Sequence, residues 1–465
     1  MKLWPYCIEF MGQLRGACTR QRTFLWMCTV IIGFMIRPDL LGVTSIVRAT
    51  GLCGFCYDRL LDMFHSSSLV IESLTSLYVG LVIRTFPLCR CNGRIIVVGD
   101  GLKVPKSGKK MPGVKKLHQE SESNTKPKYI FGHSCQAIAV LAGAAESVFA
   151  VPLICRIHEG LKFTNRDHRS LIDKMMAMLC SLVLPIPYYF VTDAYFFARK
   201  SVHATLKQGN HLITRAKKNA VAYKPAEIST RRGRGRPPTY GKKIKLGTLF
   251  DEPECMMDAD SPVYGEVGVK IRYRCIDLLW RGAGLMVRYV LVDHPSRGRG
   301  IFVSTDLTLA PLEIVRIYGL RFKIEVSFKQ AIRTLGAFGY HFWMRTMKRI
   351  GRKGKTQFLH HEDDCYRENV RRKMDAYHRY IQLGLIAQGC LQYLSCCHTQ
   401  RVWDSFATWL RTLRKNVLPS EMVTSLALRE SFTEFLMDKN EKSIIAKFIR
   451  SKISVQHALG MLDAA

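Results

Sequence analysis

The chain has 465 residues, of which 70 are Lys or Arg and 37 are Asp or Glu, so its formal net charge at pH 7 is +33. Hydrophobic residues make up 48% of the chain, which is enough for a large core and excludes a disordered basic tail. A folded protein with this charge is expected to bind polyanions. Its 16 cysteines lack the spacing of a small disulfide scaffold, which favours reduced core thiols and an intracellular location.

Two apolar runs, residues 25–36 and 135–155, need to be weighed as membrane spans. The first is shorter than the roughly 20 residues that a spanning helix needs. The second is interrupted by Gly143, Glu146 and Pro152 and suits two short strands joined by a turn. No secretory signal is expected at the N-terminus. The sequence therefore predicts a soluble protein with no membrane partner.

Residues 1–92 carry apolar side chains at helical spacing, which predicts either a small DNA-binding bundle or an ordinary helical domain. From Arg94 the pattern changes. RIIVVGDG is typical of a buried strand, and a lysine-rich loop is expected to run from it to Lys128. The segments that follow predict, in order, strand, strand, helix, strand, helix and strand up to residue 224. This order favours an α/β fold with a mixed sheet, in which three strands form a meander and later strands follow helical crossovers.

Residues 225–308 differ in composition and form a predicted insertion. It opens with a basic segment rich in Gly and Pro, and two alternating segments then predict a β hairpin. A helical pattern resumes over residues 309–345, with Pro311 at a helix-start position. Residues 346–465 are first basic and then helical. The predicted regions are therefore 1–92, 93–224, 225–308, 309–345 and 346–465.

Acidic residues are scarce in this chain, and two of them follow apolar strands. Asp100 ends RIIVVG and Asp193 ends YYFVT, so the carboxylates meet at one sheet edge if the strands are neighbours. Two adjacent carboxylates repel each other unless cations neutralise them, and Mg²⁺ or Mn²⁺ prefers such oxygen ligands.

A third acid belongs to the segment YGLRFKIEVSFKQ. Tyr318, Arg321, Glu325 and Lys329 are spaced by three, four and four residues, which on a continuous helix predicts one polar face. The alternative is an ion-pair ladder on a solvated helix face.

Together these residues resemble the DDE transposases of bacterial insertion sequences, over roughly residues 93–345. One branch of that family carries a signature in which Tyr, Arg, Glu and Lys are separated by two, three and six residues. Tyr318, Arg321 and Glu325 match it, whereas the Lys position is Ile332, with Arg333 one residue later and Lys329 one turn earlier.

The resemblance implies a ribonuclease-H-like core, interrupted by the β-rich insertion. It also implies a transposase that cuts at terminal inverted repeats and joins the 3′ ends to target DNA. Asp100, Asp193 and Glu325 would hold two Mg²⁺ ions, with Mn²⁺ as a substitute. The implied residues for phosphate contacts are Tyr318, Arg321, Lys329 and Arg333.

Duplex DNA is the implied partner, with a dimer assembled on the DNA ends, in the bacterial cytoplasm and associated with the nucleoid. No P-loop or dinucleotide fingerprint is present, so no nucleotide cofactor is expected. The alternative function is that of a transposase-derived DNA-binding protein that no longer cuts. A basic membrane-associated protein is a weaker third hypothesis.

Other basic and aromatic residues are candidates for DNA contacts. A thin Arg-rich segment suits a minor groove, although a flexible surface loop is the alternative. The whole lysine-rich loop after Asp100, with Lys109 and Lys110 as its committed members, and the basic run 345–355 are expected to neutralise phosphates. Trp280 is a candidate for stacking on an unpaired base, and a core position is the alternative. Cys53 and Cys56 favour buried thiols over a zinc site. The members of the Arg-rich segment are Arg232, Arg234 and Arg236.

Overall fold

A computed structural model describes residues 3–119, 127–144, 147–226, 238–438 and 442–454. The chain divides into two compact units. The first unit contains Met1–Leu88, Gly101–His168 and Ile324–Ala465, and the second contains Cys89–Asp100 and Arg169–Lys323. The predicted minor-groove residues Arg232, Arg234 and Arg236 lie outside the described residues.

The N-terminal region is helical, as predicted. Helix α2 is buried continuously from Phe24 to Ile36, because a helix that is apolar on every side belongs in a core. Among the described residues, no helix combines the length and the apolar character that crossing a membrane requires. The helices are α1 (Trp4–Gly12), α2 (Gln21–Ile36), α3 (Gly42–Ala49), α4 (Cys56–His65) and α5 (Ile71–Thr85).

Six strands follow: β1 (Arg90–Cys91), β2 (Arg94–Pro105), β3 (Lys115–His118), β4 (Tyr129–Ala144), β5 (Ser147–Ile157) and β6 (Leu161–Lys162). In the first unit, the second half of β2 runs beside β4, and the Lys106 amide donates to the Phe131 carbonyl at 2.9 Å. Strand β4 pairs antiparallel with both β3 and β5. The meander of β2, β4 and β5 confirms the prediction. The lysine-rich segment is not one loop, since it contains β3.

In the second unit, the chain returns twice through helices. The elements are α6 (Leu171–Ser181), β7 (Tyr188–Val191), α7 (Arg199–Lys207) and β8 (His211–Ala216). Strand β7 pairs parallel with the first half of β2, and β8 pairs parallel with β7. Parallel neighbours need such crossovers, so each helix separates two strands. The result is the predicted α/β arrangement, in which later strands follow helical crossovers.

Antiparallel strands follow β8. Strand β9 (Val221–Pro225) leads into the insertion, whose strands are β10 (Tyr240–Lys245), β11 (Met257–Asp260), β12 (Lys270–Trp280), β13 (Leu285–His294) and β14 (Gly298–Ser304), and helix α8 (Pro311–Leu320) comes next. Strand β14 pairs with β8, and β12 and β13 form the predicted hairpin. The strand predicted over residues 210–223 is divided into β8 and β9. A turn closed by the Ala220 amide and the Lys217 carbonyl separates them, because the polar sequence KKN favours a turn.

The remaining elements are α9 (Lys323–Arg333), β15 (Gln357–Phe358), α10 (Asp364–Cys397), α11 (Thr399–Ser405), α12 (Glu421–Glu430), α13 (Phe432–Met437) and α14 (Ile444–Arg450). The 34-residue helix α10 is buried along most of its second half. The continuous helix predicted through Tyr318 and Lys329 is wrong. Helix α8 ends at Leu320 and α9 begins at Lys323, with Arg321 and Phe322 in a turn. Gly319, which has a low helix propensity, weakens the last turn of α8.

Candidate active site

Asp100 and Asp193 each follow a matching position of two neighbouring parallel strands. In the β2–β7 pair, Val98 is opposite Val191. Each Asp follows that pair by two residues, and adjacent strands in a sheet are about 4.8 Å apart. The premise that the two strands are neighbours is therefore confirmed. The prediction that the strand ends at Asp100 is wrong. Asp100 directly follows the buried stretch Ile95–Gly99, and the strand continues to Pro105.

Gly99 fixes how closely these two strands approach. A Cβ atom on Gly99 would lie 2.6 Å from the Phe190 ring and 3.5 Å from the Met175 sulfur. Phe190 is fully buried on β7, so its ring has no free space to move into. The glycine in VVGDG thus has a packing role, which places Asp100 against the core of the second unit.

Arg321 pairs with Asp100 inside the second unit. Its Nη1 atom lies 2.6 Å from Asp100 Oδ2, and the two side chains are 17% and 18% exposed, respectively. An ion pair this sheltered is screened less than a surface pair. The turn between α8 and α9 brings the guanidinium to this position, which sequence spacing on an ideal helix did not predict.

Asp193 is held by its local backbone. It is the N-cap of the short 3₁₀ turn Ala194–Phe196, and its Oδ1 atom accepts a hydrogen bond from the Tyr195 amide at 3.2 Å. Its carbonyl accepts from the Thr214 hydroxyl at 2.8 Å. The capping bond fixes the side chain where β7 ends.

Tyr318 borders a cavity of about 250 Å³ in the second unit. Its ring packs on Phe302 with centroids 4.9 Å apart, and the Arg321 guanidinium carbon is 5.8 Å from its centroid. Burial raises the pKa of Tyr318, while Arg321 and Arg215 act in the opposite direction and Asp193 adds to the rise. Arg215 also lines this cavity, and the sequence analysis did not identify it as a candidate site residue. The single charged residue within the apolar strand segment LITRA could have indicated it.

Glu325 lies in the first turn of α9 and is exposed. Lys329 and Arg333 on the same helix are also exposed, and Ile332 is 36% exposed. The break before α9 removes Tyr318 and Arg321 from the helix that carries Glu325. The convergence of Glu325 with Asp100 and Asp193 stays a prediction.

The donor chemistry of the two aspartates fits a hard divalent cation. Both offer carboxylate oxygens, which are the ligands that Mg²⁺ and Mn²⁺ prefer. Within the described part of the chain, no group of three or more His, Cys, Asp and Glu side chains is arranged to hold a metal ion. Asp100 and Asp193 would therefore need a further ligand to complete such a site.

The basic segment after β2 contains one lysine with a structural role. Lys106 is 7% exposed, and its Nζ atom donates to the carbonyls of Phe338 and Tyr340. This lysine is not available to neutralise phosphate, contrary to the expectation for the whole lysine-rich segment. Lys109 is exposed, and Lys110 donates to the Arg345 carbonyl at 2.9 Å.

Trp280, at the end of β12, packs against a residue outside the insertion. Its ring is stacked on Phe197, with centroids 4.2 Å apart and planes 19° from parallel. It borders the hydrophobic cluster that includes Leu278 and Tyr289. Trp280 is therefore half-buried at the edge of a hydrophobic cluster, which favours the alternative of a packing role.

Comparisons with known proteins bear on this site. The model of the DDE superfamily endonuclease family matches residues 10–266, more than half of the chain. The chain belongs to this family. The matched region contains Asp100 and Asp193 and ends before Glu325.

Among solved structures, a piggyBac transposase synaptic complex with hairpin DNA is similar over 98% of this chain and 81% of that chain. The two share 11% sequence identity, with a TM-score of 0.38. No curated protein matches the chain.

Proposed function

We propose that this DDE-family protein is a transposase that cuts DNA at the terminal inverted repeats of an insertion sequence and joins the freed 3′ ends to target DNA. The observation that carries the proposal is the placement of Asp100 and Asp193, each of which follows the Val98–Val191 pair of two parallel strands by two residues. The net charge of +33 supports duplex DNA as the substrate. The match of Tyr318, Arg321 and Glu325 to the Tyr-Arg-Glu-Lys signature supports that branch of the family.

Asp100, Asp193 and Glu325 would hold two Mg²⁺ ions, or Mn²⁺ in their place. When bound, such metals supply an activated oxygen nucleophile and stabilise the leaving oxygen. The protein's own residues orient the strand. Arg321, already in contact with Asp100, would bind a phosphate oxygen through its second edge. The Tyr318 phenol is protonated at neutral pH, as any tyrosine with an ordinary or raised pKa is, so its hydroxyl would donate to a phosphate.

Assembly and location belong to the same proposal. A dimer on paired DNA ends would let two active sites act on the two ends of one element. The positive charge suits a cytoplasmic protein bound to the nucleoid.

The experiment is a cleavage assay on a supercoiled plasmid that carries the protein's own gene with its flanking DNA. Wild-type protein with Mg²⁺ should nick or linearise the plasmid at the element ends. Asp100→Ala, Asp193→Ala and Glu325→Ala should each abolish cutting while the protein still shifts the same DNA in a gel. The matched control is Asp258→Ala, which removes an exposed acid from the insertion.

The outcomes separate the two functions. Binding without cutting by the wild-type protein in Mg²⁺ and in Mn²⁺ would favour the alternative, an inactive transposase-derived DNA-binding protein. Undiminished cutting by Glu325→Ala would remove Glu325 from the assignment. Loss of cutting by Asp258→Ala would show that the assay reports general damage to the fold.

A further inference from the structure

A polar groove in the first unit lies along α10 and takes no part in the site described above. It consists of two adjoining cavities of about 470 and 260 Å³, which share His65 and Arg372. Its walls are Arg20, the loop 65–68, the segment 343–346 and one face of α10. We call it the α10 groove.

The charge of the α10 groove is mainly positive. The groove is lined by five cationic side chains and by two carboxylates, Glu368 and Asp375. One of the cations, Arg379, is 8% exposed and donates to the carbonyls of Leu69 and Phe64, so its charge is fixed in place. The five cations are Arg20, Arg345, Arg372, Lys373 and Arg379.

Lys373 is oriented by His65 where the two cavities meet. The Lys373 Nζ atom lies 2.8 Å from His65 Nε2, and His65 Nδ1 lies 2.8 Å from the Leu61 carbonyl. Nδ1 must be the donor to that carbonyl, so Nε2 accepts from the ammonium group. Burial lowers the pKa of His65, which keeps this acceptor neutral. The ammonium group is therefore held in one direction, with donor capacity left for an anion.

Trp343 supplies an aromatic face to the smaller cavity. It is 65% exposed, although its neighbours Phe342 and Met344 are buried. A tryptophan in solvent beside Arg345, Arg372 and Lys373 combines a stacking surface with cations. That combination is what single-stranded nucleic acid binds, since bases stack on the ring while phosphates follow the charges. The adjoining larger cavity, at about 470 Å³, lies within the range of small-molecule sites.

We propose that the α10 groove binds an unpaired DNA strand, with one base stacked on Trp343 and flanking phosphates on Lys373, Arg372 and Arg20. The three consecutive serines, Ser66–Ser68, line the same wall and offer hydroxyl groups to the strand. This inference rests on the proposed function, because cleavage of DNA produces ends at which unpaired strands become available for binding.

The test measures the affinity of full-length protein for a fluorescent 12-nucleotide single strand and for the duplex of the same sequence. Trp343→Ala should weaken single-strand binding roughly 5- to 150-fold, the range expected for one lost stacking contact. Duplex binding should stay within about twofold. Trp343→Phe should restore most of the loss. The matched control is Trp409→Ala, because Trp409 is 80% exposed in the same unit and lines neither cavity.

The cations are tested separately through salt. Arg372→Ala/Lys373→Ala should make the dependence of log affinity on log salt shallower by about 1.4 for the single strand, since each lost phosphate contact removes about 0.7. Arg411→Ala/Lys415→Ala, which removes two exposed charges elsewhere in the unit, should leave the slope for the single strand unchanged.

Three results would decide against parts of the argument. Single-strand affinity of Trp343→Ala equal to that of wild type overturns the inference while leaving the proposed function standing. Equal weakening of single-strand and duplex binding overturns the assignment to an unpaired strand. A wild-type protein that binds neither form of DNA contradicts the proposed function itself.

Discussion

Arg321 Nη1 lies 2.6 Å from Asp100 Oδ2, and this pair joins the turn after α8 to the strand that carries the first acid. The positive charge of the guanidinium offsets the negative charge of Asp100. It therefore reduces the electrostatic repulsion between Asp100 and a nearby Asp193 carboxylate. A metal ion bound by these acids would also neutralise the Asp100 carboxylate. The loss of Arg321 is therefore expected to make the stabilisation by a metal ion larger.

Replacement of Arg321 by Ala should increase the stabilisation that Mg²⁺ gives to the fold. Without metal, the variant should lose roughly 1–3 kcal/mol of unfolding free energy, because a sheltered carboxylate loses its partner. Urea unfolding with and without Mg²⁺ measures both quantities. Arg316→Ala is the control, since Arg316 pairs with Glu313 within α8. A metal-induced shift no larger than that of wild type would contradict the argument.

Gly99→Ala should reduce DNA cleavage by displacing Asp100. The added methyl group would lie 2.6 Å from the buried Phe190 ring, so β2 must move relative to β7. We expect a cost of about 1–3 kcal/mol in stability and a large loss of cutting, with DNA binding retained. The double variant Gly99→Ala/Phe190→Leu makes room for the methyl group and should recover part of the activity. No recovery would mean that the glycine acts in another way.

The sequence located the two aspartates because buried strands leave long apolar runs whose ends can be recognised. RIIVVG and YYFVT are each followed by an acid, and the two strands that contain them are parallel neighbours. The break at Arg321 and Phe322 was not predictable in this way. Between Tyr318 and Lys329 there is no proline, and Gly319 lowers helix propensity without being enough to predict a break, so the pattern favoured one helix. The turn at Arg321 and Phe322 coincides with a contact between residues far apart in sequence, the ion pair of Arg321 with Asp100.

The surroundings of Lys106 were likewise not predictable from its local sequence. Its sequence context is a basic segment, whereas its actual surroundings are the carbonyls of Phe338 and Tyr340, more than 200 positions later in the chain. The ammonium group also lies 3.6 Å from the Tyr340 ring centroid. The exposure of Trp343 was not predictable either, because the local sequence does not show whether a tryptophan in a loop is buried or faces solvent.

Lys106 should make the protein more stable as pH rises from 7 to 9. Burial lowers the pKa of Lys106 to about 7 in the folded protein, against 10.5 for an unperturbed lysine. Below pH 7 both states carry the proton and the cost of burying the charge is constant. Between pH 7 and 10.5 the unfolded state binds more protons, so the contribution of Lys106 to stability rises by up to about 1.4 kcal/mol per pH unit.

Urea unfolding of wild type and Lys106→Met at several pH values isolates this contribution, because all other groups titrate in both proteins. The unfolding free energy of wild type minus that of the variant should rise between pH 7 and 9. Lys109→Met, at an exposed lysine of the same segment, should show a flat difference. A difference for Lys106→Met that is flat or falls would show that its ammonium group is not desolvated.

The last prediction concerns the cation that replaces the signature Lys, and it compares Lys329 with Arg333 on α9. A helix turns 100° and rises 1.5 Å per residue, so Lys329 lies about 40° from Glu325, and Arg333 lies about 80° away and nearly 12 Å along the axis. A phosphate beside Glu325 is therefore within closer reach of Lys329. Arg333 is the last residue of α9, where a cation stabilises the helix through its dipole. Lys329→Ala should lower the cleavage rate more than Arg333→Ala at equal occupancy of the DNA ends, whereas Arg333→Ala should lower the melting temperature more. The reverse order of cleavage rates would assign the signature's role to Arg333.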